Sequence, residues 1–269
     1  MKAVWKNDNG VVLEMGDGLP VMIVRGVGGL DAPPLDVTAV KRGQAAGSYV
    51  TGYRWKTRTV TLPVVVAKAA WADLVTALAI PTGTLTVTRN RTGQGRAYYV
   101  GGLDTMREMP GAYKGVLMFR LMWPFFLSAN EFYREFTAAE RPLAYPMGFP
   151  FYVLAGSTFA DVTVSNAGEV EAWPRWRLTG PGGRWELRNV TTGKTLLVNR
   201  ALGAGEVLHI TTRPGAGSVY DGNGTSVMGD VGGALWSLAR GDNHITVTVT
   251  APTVATRVEM WYANEYLGV

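Results

Sequence analysis

The feature that most constrains this chain is the pattern of apolar residues between positions 161 and 269. Apolar and polar side chains alternate there in short runs, for example at residues 185–187, 245–249 and 258–262. Turn signals rich in Gly, Asn, Asp and Pro separate the runs at intervals of about ten residues. Alternation at period two places one side of each strand in a core, so the pattern predicts an antiparallel β-sandwich.

The order of the turn residues in this half is more specific than the fold class. Each residue alone predicts only a turn, because Gly and Asn tolerate positive φ and Asp-Gly closes hairpins. As an ordered set, the turn residues resemble the C-terminal domain of phage distal tail proteins, the siphovirus-type minor tail protein or tail-component family. The matching positions are Asn166, Gly168, Pro174, Gly180, Asn189, Gly193, Asp221, Gly222, Leu238, Gly241 and Asn243.

In the first half of the chain, the pattern of apolar residues predicts short strands around one helix. Strand patterns cover residues 4–5, 11–15, 19–24, 35–42, 49–66, 83–88, 97–103 and 113–123. Between them, Trp71, Leu74, Val75 and Leu78 recur at helical spacing, and Pro81 ends the helix predicted for residues 67–78. Residues 128–160 lack periodicity and contain Pro142, Pro146, Gly148 and Pro150, so they are interpreted as a crossover and the first strand of a second domain. The predicted domains are 1–127 and 128–269.

Three segments of this half resemble the N-terminal domain of the same family. They are Arg58-Thr-Val60-Thr-Leu62, the Trp71, Leu74 and Leu78 spacing, and Phe119-Arg-Leu121-Met-Trp123-Pro124, with Trp123 where the family commonly has an acidic residue. The resemblance implies the split-barrel-plus-helix build of tail-tube proteins. The expected fold is therefore mainly β: an N-terminal split β-barrel-like domain with one helix, and a C-terminal antiparallel β-sandwich of the galectin or jelly-roll type.

Residues 35–42 and 49–66 predict a long hairpin that leaves the body of the domain and re-enters it. In the second strand, simple alternation separates aromatic from basic side chains: Tyr49, Tyr53 and Trp55 on one face, Arg54, Lys56 and Arg58 on the other. The basic face becomes apolar from Val60 onward. We therefore expect the aromatic residues to form an oligomer interface, and the basic residues to face a channel or an acidic neighbour.

The composition excludes several classes of protein. Charged residues make up 17% of the chain, against about 25% in an average domain, and the net charge of +5 is scattered rather than concentrated as in a nucleic-acid-binding stripe. The chain has no cysteine, which excludes disulfides and thiol nucleophiles. No signal peptide is recognisable, and Lys68 and Asp73 interrupt the longest apolar segment. We expect no membrane insertion and production in the cytoplasm of the host bacterium.

The chain contains histidine, glutamate and aspartate residues of the types used in catalysis and metal binding, but their spacing matches no catalytic or metal-binding motif. His209 and His244 lack a second ligand at metal spacing and are predicted to be half-buried strand residues. Glu169 and Glu171 lie beside tryptophans, which leaves a glycoside hydrolase open, although solvated charges explain them better. The Asp221-Gly222-Asn223-Gly224 segment predicts a type I′ hairpin turn rather than a calcium site. No catalytic residue, metal site or cofactor is expected.

The resemblance implies a structural virion protein at the tail tip. It implies a subunit of a ring, a hexamer in the family, that joins the tail tube of a long non-contractile tail to tip and receptor-binding proteins and leaves a central channel for DNA. Its expected partners are further copies of itself, the tail tube protein, the tape-measure protein and a downstream hub protein. Two alternatives remain: a polysaccharide-degrading tail enzyme, and a carbohydrate-binding module that contacts host-surface glycan through Trp173, Trp176, Trp185 and Trp236.

Overall fold

The computed structural model describes residues 1–43, 45–137 and 158–269. The predicted crossover with Pro142, Pro146, Gly148 and Pro150 lies outside these residues. The chain divides into two compact units, Met1–Ala129 with Glu265–Val269, and Asn130–Asn264. The boundary inferred from the sequence, between residues 127 and 128, remains a prediction. The assignment of residues 265–269 to the first unit was not anticipated, because the last strand is too short to show a pattern.

The first unit contains eleven consecutive strands and one helix. The strands are β1 (Lys2–Asn7), β2 (Val12–Gly16), β3 (Val21–Ile23), β4 (Leu35–Lys41), β5 (Ser48–Trp55), β6 (Arg58–Ala67), β7 (Thr82–Thr88), β8 (Thr92–Gly101), β9 (Arg107–Met109), β10 (Ala112–Leu121) and β11 (Phe126–Ser128). Helix α1 (Trp71–Leu78) follows a 3₁₀ turn at Lys68–Ala70, and a second 3₁₀ turn lies at Leu103–Thr105. The predicted strand 49–66 is thus two strands that separate at Lys56 and Thr57.

Most of these strands form one ten-stranded sheet that curls into a nearly closed barrel. The strand order is β2-β1-β7-β8-β10-β6-β3, with β9 beside β10, β11 beside β8, and the last strand of the chain, β22 (Glu265–Tyr266), beside β11. Inward-facing apolar residues fill the barrel, and the rings of Trp5 and Phe119 lie 4.9 Å apart at its centre. The alternation of β6 places Val60, Leu62, Val64 and Val66 in this core.

Helix α1 covers part of the barrel core. Leu74 and Leu78 are buried as the spacing predicts, and Ala77 is buried beside them. Val75, also predicted to be a core residue, is exposed. The carbonyl oxygen of Ala77 accepts hydrogen bonds from Trp5 Nε1 at 3.0 Å and Asn7 Nδ2 at 3.1 Å. These bonds satisfy an end carbonyl of the helix and fix it against β1.

Over residues 130–137 and 158–264, the second unit contains ten strands in two antiparallel sheets. They are β12 (Phe132–Thr137), β13 (Thr158–Asn166), β14 (Arg175–Thr179), β15 (Trp185–Asn189), β16 (Lys194–Val198), β17 (Val207–Thr211), β18 (Ser218–Asp221), β19 (Val231–Gly233), β20 (Gly241–Val249) and β21 (Arg257–Tyr262), with a 3₁₀ turn at Met228–Asp230. One sheet has the order β12-β21-β14-β17-β18 and the other β13-β20-β15-β16-β19. The last strand of the chain, β22 (Glu265–Tyr266), pairs with β11 in the first unit. The predicted mainly β fold with one helix is confirmed.

The core of the second unit lies where the inner faces of its two sheets meet. Trp176 of β14 packs edge-on against Trp236, with ring centroids 5.4 Å apart, and Trp236 Nε1 donates to the carbonyl oxygen of Leu187 at 2.9 Å. The alternating apolar residues of β14 to β21 are buried, as the sequence predicts. Three tryptophans, Trp176, Trp185 and Trp236, belong to this core.

Buried asparagines fix the turns of the second unit. Asn243 Oδ1 accepts from Ala239 N at 2.8 Å and from Asn189 Nδ2 at 3.0 Å. Asn166 accepts from Gly168 N at 2.9 Å and donates to the carbonyl oxygen of Val170. These side chains replace missing backbone partners at buried turns, where an unpaired polar group is costly. The family-like positions of the sequence therefore have a structural role.

Candidate assembly surface

The β4–β5 hairpin is the part of the first unit that stands apart from its barrel. The two strands pair only with each other and form a separate two-stranded sheet. Thr38 pairs with Gly52 and Ala39 pairs with Val50, so Thr51 is the extra residue of a β-bulge. An extra residue shifts the alternation of everything that follows it in the strand.

The bulge gives the hairpin an apolar face different from the one that simple alternation predicts. Residues directly opposite each other in a ladder share a face, so the pairing with β4 places Val50 with Tyr53 and Trp55. The apolar face is Leu35, Val37, Ala39, Val50, Tyr53 and Trp55. Tyr49 was expected on this face; it pairs with Val40 and lies on the face of Asp36 and Arg54. The alternation of residues in the sequence did not place Val50 on this face, because no residue pattern in β5 indicates the bulge.

The apolar face is open to solvent. Tyr53 is 71% exposed and Val50 is 62% exposed, while Leu35, Val37 and Ala39 are also exposed. Trp55 is half-buried because its ring packs edge-on against Phe125, with centroids 6.1 Å apart. Lys56 N donates to the carbonyl oxygen of Pro34 at 2.8 Å and closes the base of the hairpin. The base is thus anchored, and the rest of the face lacks a cover among the described residues.

The opposite face carries an ion-pair cluster. Asp36 accepts from Arg54 Nε at 3.1 Å and lies 3.1 Å from Lys56 Nζ. The hydrogen bonds from Lys56 and Arg54 lower the pKa of the Asp36 carboxyl. All three residues are solvated, so the pairs contribute little to stability. Arg54 and Lys56 therefore share a face as predicted, with one carboxylate between them.

Arg58 does not belong to this basic face, contrary to the prediction. It begins β6, and its side chain is 1% exposed inside the first unit. Its guanidinium donates to the carbonyl oxygens of Gly29 at 3.3 Å and Leu267 at 2.5 Å and lies 4.5 Å from the centroid of the Phe126 ring. Burial lowers the pKa of Arg58 to about 10. The hairpin rejoins the barrel at this residue, so the same alternation that exposes Arg54 turns Arg58 inward.

The hairpin is an incomplete structure by itself. An isolated two-stranded sheet is marginally stable in water, and a sheet edge with unpaired backbone groups invites pairing with another chain. Contiguous exposed apolar surface of this kind marks a site of protein association. The hairpin is therefore a candidate assembly surface, with an apolar face, two free edges and an anchored base.

The other candidate sites do not gather into catalytic arrangements. His209 and His244 are exposed rather than half-buried, because both point to the outer side of their sheets, and His244 Nε2 lies 2.5 Å from Asp161 Oδ1. Glu171 is exposed and accepts from Ser237 Oγ at 2.9 Å. Over residues 1–43, 45–137 and 158–269, there is no group of three or more acidic or histidine side chains that could hold a metal ion.

The tryptophan platform of the glycan-binding alternative is not present at the surface. Trp176, Trp185 and Trp236 are core residues, and only Trp173 of the four is half-buried. Buried indoles cannot stack on a sugar. Within the described residues, no helix is long and apolar enough to cross a membrane.

The turn at Asp221 also differs from the prediction. Of its residues only Gly224 has positive φ, at 81°, whereas a type I′ turn needs positive φ at both central residues. Asp221 Oδ1 accepts from the backbone N–H groups of Asn223 and Thr225 at 3.0 and 2.9 Å. The carboxylate therefore closes its own loop, which explains the Asp without a metal ion.

Known proteins are similar to this chain in one family model and in several solved structures. Residues 167–266 match the family model described as the siphovirus-type tail component, C-terminal domain. Among solved structures, the Dit protein of phage SPP1 is similar over 90% of this chain and 93% of that chain, with a TM-score of 0.62 and 14% identity. That protein is described as a paradigm of the hub adsorption apparatus in phages that infect Gram-positive bacteria. No significant match was found among curated proteins.

A second similar structure comes from the phage p2 baseplate. This baseplate was solved in its activated conformation with calcium and with strontium. The match covers 100% of this chain and 99% of the baseplate chain, with a TM-score of 0.52 and 9% identity. At these identities the likeness shows a shared fold. Residues 167–266 are thus similar to the C-terminal domain of siphovirus-type tail components, and the resemblance to phage distal tail proteins is confirmed.

Proposed function

We propose that this protein is the distal tail subunit of a long non-contractile phage tail and assembles as a ring at the tail tip. The observation that carries the proposal is the apolar face of the β4–β5 hairpin, which is exposed in the single chain. Repetition around an axis gives every hairpin a partner and closes the array without free edges. The similar structures, a hub protein and a baseplate component, support a ring of this kind, and a hexamer is the stoichiometry we propose.

The mechanism of such a subunit is geometric. The barrel units of the ring enclose an axial channel continuous with the tail tube, and DNA passes through it during ejection. The ring also contacts the tape-measure protein and a downstream hub protein, and the sandwich domains dock further tip and receptor-binding proteins. The subunit is made in the cytoplasm of the host, acts as part of the virion, and works without an enzymatic step.

The basic residues of the hairpin contribute weak contacts in this scheme. Asp36 partly compensates the charges of Arg54 and Lys56, so the cluster retains a small positive charge at neutral pH. A channel wall of this kind offsets phosphate charge without holding DNA, because few phosphate contacts give weak, salt-sensitive binding. Reversing both charges with Arg54→Glu and Lys56→Glu is expected to leave the fold intact, since both side chains are solvated.

The proposal is tested by the mass of the assembled protein. Native mass spectrometry and negative-stain microscopy of the full chain should show closed rings, and Val37→Asp combined with Tyr53→Asp should yield folded monomers. Thr38→Asp is the matched control, because Thr38 is exposed on the opposite face. Rings that persist in the double variant, or a tail-tip structure with the hairpin outside every subunit contact, would contradict the proposal.

A further inference from the structure

The barrel of the first unit has an open seam. Strands β2 and β3 are the two ends of the strand order, and no ladder joins them. A groove of about 380 Å³ lies along this seam, between the two strands and helix α1. Its lining is mostly apolar, and we call it the seam groove: Val11, Val12, Leu19, Pro20, Ala70 and Asp73.

The seam groove and the hairpin are both uncovered in the single chain. Val12 is 51% exposed at the edge of the groove, and Val50 is 62% exposed on the apolar face of the hairpin. A closed ring uses a heterologous interface, in which one surface of a subunit meets a different surface of the next. A projecting apolar hairpin and a recessed apolar groove on the same unit are such a pair of surfaces.

The charges of the two surfaces are complementary. Lys41 and Arg42 lie at the far end of the hairpin, and neither has an ion-pair partner among residues 1–43, 45–137 and 158–269. Asp73 lies in the groove, in the first turn of α1, and it too lacks an ion pair within the described part of the chain. Glu14 is a second carboxylate in the groove, and it forms an ion pair with Lys2, with 2.9 Å between Glu14 Oε1 and Lys2 Nζ. The basic end of the hairpin therefore complements the carboxylate of Asp73 in the seam groove.

We propose that the apolar face of the β4–β5 hairpin docks in the seam groove of the neighbouring copy of this chain, with Lys41 and Arg42 directed toward Asp73. The inference rests on the proposed ring and specifies which two surfaces form its contact. Docking covers Val11, Val12 and Val50 together and places the hairpin beside the unpaired strand edges of the seam. Each subunit gives its hairpin to one neighbour and receives the hairpin of the other.

The absence of cysteine permits a direct test by cross-linking. Full-length Val50→Cys and Val12→Cys chains, each with a different tag, are mixed and treated with a short bis-maleimide reagent. A covalent heterodimer is expected in the mixture, with at least tenfold less product from either chain alone, because the contact joins unlike surfaces. Thr38→Cys mixed with Val12→Cys is the control and should not cross-link, since Thr38 lies on the other face of the hairpin.

The outcomes separate this inference from the ring itself. Rings seen by native mass spectrometry without cross-links from Val50→Cys or Tyr53→Cys to Val12→Cys or Leu19→Cys would overturn the docking and leave the ring proposal standing. Protein that remains monomeric at every concentration would overturn both. Asp73→Arg should raise the midpoint concentration of assembly at least tenfold, and combining it with Lys41→Asp and Arg42→Asp should restore it. Failure of this restoration with each variant folded would also count against the docking.

Discussion

Arg58 is a charged residue that the fold turns inward. Its guanidinium satisfies two backbone carbonyl oxygens and covers the Phe126 ring, and its Nε lacks a hydrogen-bond partner within the described residues. A buried arginine of this kind holds segments of backbone together, since guanidinium donors reach several acceptors at once. The side chain connects Gly29 with Leu267, which are far apart in the sequence.

Arg58→Met is expected to destabilise the first unit by about 2–4 kcal/mol. The substitution keeps an apolar stem but removes the guanidinium donors to the carbonyl oxygens of Gly29 and Leu267, and each buried hydrogen bond lost in this way costs about 1–3 kcal/mol. Urea denaturation of the full chain measures the change. Arg54→Met serves as the control and should shift stability by less than about 0.5 kcal/mol, because exposed substitutions have small effects. Equal effects of the two substitutions would contradict the buried role of Arg58.

Glu259 provides a pH-dependent contribution in the second unit. Burial by itself raises the pKa of its carboxyl, but the hydrogen bonds from Arg177 and Tyr133 outweigh burial and lower that pKa. Arg177 Nη2 lies 2.6 Å from Glu259 Oε1, and the Tyr133 hydroxyl donates to the same oxygen at 3.1 Å. Burial, with the hydrogen bonds to Glu259 and Glu135, raises the pKa of Tyr133 to about 12.

The lowered pKa predicts an acid-sensitive second unit. A carboxyl with a depressed folded-state pKa stabilises the fold above its unfolded value of 4.5, and this stability is lost as the pH falls through the folded pKa. Glu259→Gln should lower the melting temperature of this unit by about 4 °C at pH 7 and flatten its decline below pH ~4.5. Differential scanning calorimetry measures both. The exposed Glu131→Gln, which breaks a pair with Arg175, should change little.

At the level of the β4–β5 hairpin, the bulge at Thr51 decides which side chains share the exposed apolar face. Simple alternation predicts that Tyr49 contributes to the apolar face and Val50 does not, whereas the observed pairing predicts the reverse. Val50→Asp should therefore raise the midpoint concentration of assembly at least tenfold more than Tyr49→Asp does. Analytical ultracentrifugation over a concentration series measures the two midpoints. A larger effect of Tyr49→Asp would contradict the assignment of faces derived from the bulge.

At the scale of the whole molecule, the chain ends inside the unit in which it begins. β22 pairs with β11, Val269 N donates to the carbonyl oxygen of Leu30 at 3.0 Å, and Trp123 Nε1 donates to the buried Glu265 carboxylate at 2.7 Å. The second unit is therefore an insertion between two parts of the first. The last residues complete the barrel unit rather than the sandwich.

A variant that ends at Asn264 is expected to lose stability in the first unit only. The truncation removes β22, one of the two strands that pair with β11, and one backbone acceptor of Arg58. Amide hydrogens of β6, β8 and β11 should therefore exchange at least tenfold faster. Amides of β14, β15 and β20 in the second unit are the internal control and should keep their protection. Faster exchange in the second unit alone would contradict this division of the chain.

The strands and the helix with a regular spacing of apolar residues could be predicted from the sequence alone. The alternation of Trp185 with Leu187 and of Ile245 with Val247 and Val249 defined strands with one buried face, and all five side chains are in the core. The helix followed from Trp71, Leu74 and Leu78, and the turn residues Asn166, Asn189 and Asn243 carried the family resemblance. These signals are local, because a strand or turn imposes its geometry on neighbouring residues.

Which side chains are exposed on the hairpin face and which are buried depends on tertiary contacts. Val50 joined the apolar face through a bulge that depends on pairing with β4, and Arg58 became buried because residues 265–269 return to the first unit. From the sequence alone, Trp176 and Trp185 fit either a sugar-binding platform or a hydrophobic core. In the structure, packing of the two sheets buries both side chains. Pairing register and burial arise from residues distant in sequence, so local patterns do not contain them.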